Sequence, residues 1–402
     1  MKILILNAGS STQKSCLYQI DGTLPERPPE PLWEGTIDWG RSDGAQLSAK
    51  AGDRRYKIAL ETESRSRALS GLLDTLTRGE TAILTDLAEI DIVGHRVVHG
   101  GTEYSQPTRI TPEVKAAIAK LIPLAPSHNP AHLEGIEAIE QALGNIPQLA
   151  VFDTAFHSQI PLAAATYPIP YDWLDKGIRR YGFHGISHEY CARRAAQMLN
   201  RPLESLKLIT CHLGNGASLA AVADGKSINT TMGFTPLEGL MMGTRCGSID
   251  PAIGIYLMRE EKLSVDGLDR LLNRESGLKG ILGTSGDMRD VLAEMEKGSD
   301  RARLAFEMYI HRLKMGIGAM VASLGGLDAL VFAAGVGEGS AAVREATCQG
   351  LEFLGITLNG EKNRYDPIDA DIAPVDAKVR VLVVHTQEDW AIAEACYRYV
   401  HQ

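Results

Sequence analysis

Short apolar runs recur along the chain and alternate with longer amphipathic stretches. The runs are "KILIL", "IDIVGHRVVHG", "QLAVFDTAF", "LKLITCHLG", "ALVFAAG" and "VRVLVVHT". Between them, residues 112–121, 188–199 and 302–324 read as helices, the last with small residues that allow close packing. Strand-helix alternation of this kind predicts mostly parallel sheets covered by helices, an α/β class.

A weak internal echo adds to this. "LILNAGSSTQKSCLYQIDG" near the start and "LITCHLGNGASLAAVADGK" at 208–226 share one plan of strand, Gly/polar break, second strand and Asp-Gly turn. Gly9 falls opposite Gly214, Asn7 opposite His212 and Ser10 opposite Asn215. Asp21-Gly22 and Asp224-Gly225 are hairpin turn signals. Chance similarity is the plain alternative for so short a match. Duplication predicts two similar domains, each lending a Gly-rich hairpin to a cleft. "DGTLPERPPEPLWEG" and "GITLNGEKNRYDP" read as surface connections, and the polar region 42–78 suggests no chemistry.

At 402 residues the chain exceeds what one core usually supports, so two domains are expected. A formal charge of −9 with no long Lys/Arg run argues against nucleic-acid binding, so any anion site must be a local pocket. The apolar run at 3–6 is shorter than a signal-peptide core, and no stretch approaches the roughly 20 apolar residues of a membrane helix. Six cysteines without paired spacing indicate neither a zinc ribbon nor a disulfide framework, and a reducing cytoplasm is expected.

Candidate chemistry gathers at the glycine-rich breaks. In "NAGSSTQK" the small residues let backbone N–H groups converge, and Ser10, Thr12 and Lys14 add donors suited to phosphate, although a simple tight turn fits equally. "GHRVVHGG" puts Arg96 inside an apolar strand, where its guanidinium must reach a structural ion pair or a wet cleft. Arg245 in "GLMMGTRCGSIDP" repeats the theme, and two such guanidinium forks suit one phosphoryl group. Asp153 ends "VFD" as either a cleft carboxylate or a cap. In "RRYGFHGISH", His184 and His188 have i, i+4 spacing, but Gly185 is expected to interrupt the helix and no third ligand is near, which disfavours zinc. His184 is then a donor to a developing oxyanion or a buried, satisfied histidine. "CHLGNGAS" is the second phosphate-type hairpin, "FAAGVGEGS" a strand-loop-helix turn against a nucleotide, and "TSGDMRD" a polar loop able to grip a base or ribose. Glu388 and Asp389 open the last helix as dipole partners or Mg²⁺ ligands. Without GxxxxGK[ST] anywhere, a P-loop is excluded.

Taken in order, "NAGSSTQK", "GHRVVHGG", "APSHNP", "VFDTAFH", "YGFHGISH", "CHLGNGAS", "GFTPLEGLMMGTR", "DPAI" and "TQED" closely resemble the acetokinase family of the actin, sugar kinase and Hsp70 superfamily, over essentially the whole chain. The resemblance implies two actin-like (ribonuclease H-like) domains: 1–153 with a returning helix at 387–402, and a nucleotide-binding domain at 154–386. It implies a cytoplasmic homodimer, neither nucleic-acid- nor membrane-bound, that catalyses ATP + acetate ⇌ ADP + acetyl phosphate with Mg²⁺, or Mn²⁺ in its place. Arg96, Arg245, His184, Asn7 and Asp153 resemble the catalytic set, with Arg96 also holding acetate, and Asn7 and Glu388 resemble the metal-associated residues. Val98, Phe183 and Pro236 match the acetate-methyl pocket, together with Ser127, which stands where the family commonly has leucine. Lys14, Ser10, Thr12, His212, Leu213, Gly214, Asn215, Gly216, Asp287, Met288, Arg289, Gly335, Val336, Gly337, Glu338 and Gly339 match nucleotide-site motifs. Cys246, Ser248, Gln387, Asp389 and Gly339 also depart from the usual residues. Competing expectations are a propionate or butyrate kinase, which Ser127 keeps open, a non-catalytic actin-like switch, and a metal-dependent hydrolase using His184, His188 and His212.

Overall fold

The computed structural model describes residues 1–9, 12–39, 44–61, 64–126, 128–365 and 367–401. The chain divides into two compact units, Met1–Ala155 with Gln387–Gln402, and Phe156–Thr386.

In the first unit the strands are β1 (Lys2–Ala8), β2 (Thr12–Gln19), β3 (Trp33–Asp38), β4 (Gln46–Ala51), β5 (Arg54–Ala59), β6 (Ile92–Val97), β7 (Thr108–Arg109) and β8 (Gln148–Phe152). They form one sheet in the order β5-β4-β3-β2-β1-β6-β8-β7. β1 runs antiparallel to β2 and parallel to β6, which is parallel to β8. The all-apolar run Ile3, Leu4 and Ile5 is fully buried because both sheet faces are covered. One face packs Leu4, Leu17, Trp33, Ile37 and Leu47 with Leu69, Leu72 and Leu76 of the helix Arg65–Thr77. On the other lies the helix Glu388–Val400, and Gly94 of β6 makes room for it. A Cβ there would stand 2.7 Å from both Cys396 Sγ and Ile392 Cγ2.

The second unit contains β9 (Leu208–Leu213), β10 (Ala217–Ala223), β11 (Lys226–Thr230), β12 (Ala329–Ala333), β13 (Ala370–Asp371) and β14 (Arg380–Val383), in the order β11-β10-β9-β12-β14-β13. β9, β10 and β11 form an antiparallel meander, and β12 and β14 add parallel to β9. The order β3-β2-β1-β6-β8 in the first unit has the same directions. The fold is therefore α/β with two actin-like halves, and the sequence echo coincides with the first hairpin of each meander.

The structure corrects three expectations. Asp224 and Gly225 have φ of 50° and 71°, the type I′ geometry of a two-residue hairpin, whereas the strand paired to β2 returns only at Trp33, so Asp21-Gly22 closes no such hairpin. "LWEG" is not surface connection: Trp33 is fully buried, and the polar region after it carries β4, β5 and a helix. Gly185 does not interrupt a helix but begins one, Gly185–Leu199, with His184 as its left-handed N-cap residue.

Candidate active site

In the first unit the site is organised around Arg96. β6 carries its side chain from the apolar interior to the sheet's C-terminal end, where β8 delivers Asp153. Arg96 Nη2 and Nε donate to Asp153 Oδ2 at 2.6 and 3.1 Å, so the ion pair considered from sequence is present. The carboxylate side chain is 1% exposed and the guanidinium side chain 14%. Burial works against the charged guanidinium, but Asp153 and then Glu388, with the hydrogen bond to Asp153 and the charge of Asp389, hold its pKa above the ordinary value. Asn7, next to last in β1, donates from Nδ2 to Asp389 Oδ1 at 2.8 Å and receives Arg96 Nη1 on Oδ1 at 3.5 Å. Both ends of the amide are thereby oriented. Arg96, Asp153, Asn7, Glu388 and Asp389 form one oxygen-rich, guanidinium-centred set, and carboxylate and amide oxygens are the hard donors that Mg²⁺ or Mn²⁺ takes.

The three-residue break after β1 is closed by Gly9 N–H donating to the Thr12 carbonyl at 2.7 Å. Lys14 stands exposed on β2, in register with Asn7. Val98 is buried just beyond β6. Ser10 and Ser127 lie outside the described residues.

In the second unit the loop from Gly214 to Gly216 follows β9, the strand that corresponds to β1. Its N–H and carbonyl pair across the loop, Gly214 to Gly216, at 3.0 Å. Gly216 has no side chain because the room is taken: a Cβ would meet Arg245 Nη1 at 3.3 Å and His184 Nε2 at 3.4 Å. The loop backbone, the arginine and the histidine therefore converge. Asn215 holds the turn before Arg245 by accepting Gly243 N–H at 3.1 Å. Arg245 is half-buried and donates to the Pro236 carbonyl at 3.2 Å. Burial lowers its pKa, and no ion pair to a carboxylate is found for it among the described residues. A guanidinium so placed is costly unless an anion comes to it.

His184 has φ of 57°, and its ring stacks on that of His212 at 4.0 Å between centroids. Its Nδ1 pairs with Ser218 Oγ at 2.9 Å, and His212 Nδ1 pairs with Ser187 Oγ at 2.8 Å. The carbonyl of Phe183, a buried residue, accepts from His157 Nε2 at 3.0 Å, so His157 is protonated at Nε2 and takes the Ser227 hydroxyl on Nδ1 at 2.7 Å. Burial lowers the His157 pKa to about 4. Among the described residues no three His, Cys, Asp or Glu side chains group as a metal site, so the histidines do not form the cluster a metal-dependent hydrolase needs.

The remaining nucleotide-motif residues occupy two segments of the same unit. Asp287 caps the helix Met288–Glu296, accepts Arg289 N–H at 2.8 Å and pairs with the largely exposed Arg289 guanidinium at 2.6 Å, while Met288 is buried. That hydrogen bond draws the Asp287 carboxyl below its usual range. Gly335, Val336, Gly337, Glu338 and Gly339 belong to one short helix, Ala334–Gly339, which follows β12 directly. Glu338 Oε1 accepts the N–H of Ala334 at 2.8 Å and of Thr386 at 3.0 Å, and Oε2 meets His385 Nδ1 at 2.6 Å. Its carboxylate thus fixes the turn. Sequence reasoning placed Ser218 in the second phosphate-type hairpin but passed over Ser187, Thr210 and Ser227, whose hydroxyls pair with His212, His188 and His157. For Thr210 the signal is the β9–β10 register, which sets it on the same face as Ser218.

The family model for the Acetokinase family matches residues 2–394. An acetate kinase of Rippkaea orientalis is 61% identical over 404 residues, covering 100% of both chains. The crystal structure of Porphyromonas gingivalis acetate kinase superposes with a TM-score of 0.91 at 39% identity, covering 99% of each chain. That of a propionate kinase from Francisella tularensis gives 0.89 at 38%, covering 98% of each. With motifs, doubled strand plan and full-length likeness in agreement, the chain belongs to the acetokinase family.

Proposed function

We propose that this protein transfers the γ-phosphoryl group of ATP directly and reversibly to acetate, giving acetyl phosphate and ADP, with Mg²⁺ or Mn²⁺ as the metal. The observation that carries this is Arg245: half-buried, without a carboxylate ion pair among the described residues, and beside both the Gly216 backbone and His184 Nε2.

Acetate is already ionised at neutral pH, so no general base is needed, and catalysis rests on positioning and charge neutralisation. Two anions must meet. Arg96, held in orientation by Asp153, takes the acetate carboxylate, and Arg245 takes oxygens of the transferring group. His184 donates from Nε2 to an equatorial oxygen whose charge grows in transfer. Val98, Phe183 and Pro236 are the apolar residues assigned to the methyl group. The loop from Gly214 to Gly216, with His212 and Asn215, receives the nucleotide phosphates, while the segments around Asp287, Arg289 and Gly335 serve the adenosine. Glu388, with Asn7 and with Asp153 through water, would hold the metal, which neutralises and orients the β- and γ-phosphates when bound.

Purified protein is expected to release ADP from ATP only when both acetate and Mg²⁺ are present; acetate-independent release, or none, overturns the proposal. A longer acid remains the second choice, kept open by Ser127 and favoured by the likeness to the Francisella tularensis propionate kinase. A homodimer is proposed from the helix Pro251–Glu260. It buries none of its residues and exposes Ile253, Ile255 and Tyr256, by 45%, 53% and 58%. The cytoplasm is the proposed location, since all six cysteines are free thiols.

A further inference from the structure

Beneath His184 runs a buried line of polar groups. Thr210 Oγ1 meets His188 Nδ1 at 2.7 Å, His188 Nε2 meets Ser218 Oγ at 2.7 Å, and Ser218 Oγ meets His184 Nδ1 at 2.9 Å. Ser218 and His188 are fully buried and Thr210 is 1% exposed. Three elements hold them in line. Thr210 and Ser218 lie diagonally on one face of the β9–β10 ladder, Thr210 opposite Ala220 and Ser218 opposite His212, and His188 descends from the first turn of the helix that His184 caps.

We propose that Ser218 and His188 are positioning residues that orient the His184 ring and fix its proton at Nε2. The inference rests on His184 being the donor to the transferring group. Proton counting carries it. Ser218 has a single hydroxyl proton but touches two imidazole nitrogens, so it donates to one and accepts from the other. His188 is neutral: burial, then the neighbouring His157 and His212, hold its pKa well below the ordinary value. It therefore owns one ring proton. When Thr210 donates to His188 Nδ1, that proton sits on Nε2 and is given to Ser218, whose hydroxyl then points at His184 Nδ1. A neutral His184 must in that case carry its proton on Nε2, the nitrogen beside Arg245 Nη1 at the Gly216 backbone. A hydroxyl at 210 able to donate is thus as necessary as the serine. The ring cannot swing away, because it is stacked on His212 and its backbone is braced by His157 donating to the Phe183 carbonyl.

The test compares Ser218→Ala, Ser218→Thr, Thr210→Val and His184→Ala by steady-state kinetics, and by long-range ¹H–¹⁵N NMR of ¹⁵N-histidine protein, with His184→Ala assigning the His184 resonances. Ser218→Ala and Thr210→Val are expected to lose about tenfold or more in kcat while KM for ATP and acetate changes less than threefold. The His184 signals should move away from the Nε2–H pattern, and Ser218→Thr, which restores a hydroxyl, should recover most of both. Near-normal kcat and an unchanged His184 pattern in Ser218→Ala and Thr210→Val, with His184→Ala strongly impaired, would overturn the relay and leave His184 in the mechanism. Full activity of His184→Ala would overturn the donor role and the proposal with it. If Ser218→Ala fails to fold, Thr210→Val decides alone, since it keeps the shape of the side chain and removes only the hydroxyl.

Discussion

Replacing Arg245 by alanine separates function from stability, and Arg96 supplies the contrast. Arg245 donates to the Pro236 carbonyl and, at 3.7 Å, to the weak acceptor Met242 Sδ, and lacks a carboxylate ion pair among the described residues, so its removal costs the fold about 1 kcal/mol. In the proposed reaction it would meet the transferring group through charge-assisted contacts, whose loss from the transition state is worth about 2–4 kcal/mol, or roughly 30- to 1,000-fold in kcat/KM. Arg245→Lys keeps the charge but not the fork and should fall between. Arg96→Ala leaves the Asp153 carboxylate, 1% exposed, without its guanidinium, so about 3–5 kcal/mol of stability is expected to go with the activity. The assays are urea titration followed by far-UV circular dichroism, and initial rates of acetate-dependent ADP formation. A folded Arg245→Ala protein within threefold of the parent kcat/KM would refute the assignment, and an equal stability loss in both variants would refute the distinction between them.

Two further perturbations test the structure around the site. His95 and His157 are buried with pKa lowered to about 4, mainly by burial, so between the ordinary value and about 4 the unfolded chain binds protons that the folded chain does not. Stability is then fully present above about pH 6.5 and falls as pH drops towards 4, by about 3 kcal/mol for each histidine. Urea midpoints from pH 7.5 to 4.5 measure this, and His157→Gln should flatten part of the slope; a midpoint constant over that range contradicts it. Gly94→Val forces atoms against Cys396 Sγ and Ile392 Cγ2, where a Cβ alone would stand at 2.7 Å. It should cost about 1–3 kcal/mol and, by shifting the helix that begins with Glu388, raise the Mg²⁺ concentration for half-maximal rate. Parent-like stability together with an unchanged Mg²⁺ dependence would contradict that packing.

The buried strands were legible because both sheet faces are covered, so β1, β6, β8, β9, β12 and β14 read as continuous apolar runs. β5 was invisible for the opposite reason: all six of its residues are exposed, and "RRYKIA" has no buried face to betray it. Trp33 hid behind a proline-rich segment, although only the pairing of β3 with β2 makes it core. At the candidate site, arginines and histidines flanked by glycine stand out in apolar surroundings, so the sequence singles them out. Not all the groups that hold them stand out in this way. Thr210 is an ordinary strand residue until the β9–β10 register sets it on the same face as Ser218, and Gly185 reads as a helix breaker until His184 adopts the left-handed cap that starts the helix there. Of the two alternatives the sequence left for Arg96, the ion pair is seen only in the distance to Asp153.

The measurement that bears most directly on the proposed activity is trapping of acyl phosphate with hydroxylamine, using purified protein, ATP and Mg²⁺ with acetate, propionate or butyrate in parallel. Hydroxamate that depends on Mg²⁺ and is strongest with acetate is the predicted result. A strongest signal with propionate or butyrate would reassign the acid and point to Ser127. No hydroxamate from any acid, with ATP binding verified, would contradict phosphoryl transfer to a carboxylate and the roles given to Arg96, His184 and Arg245.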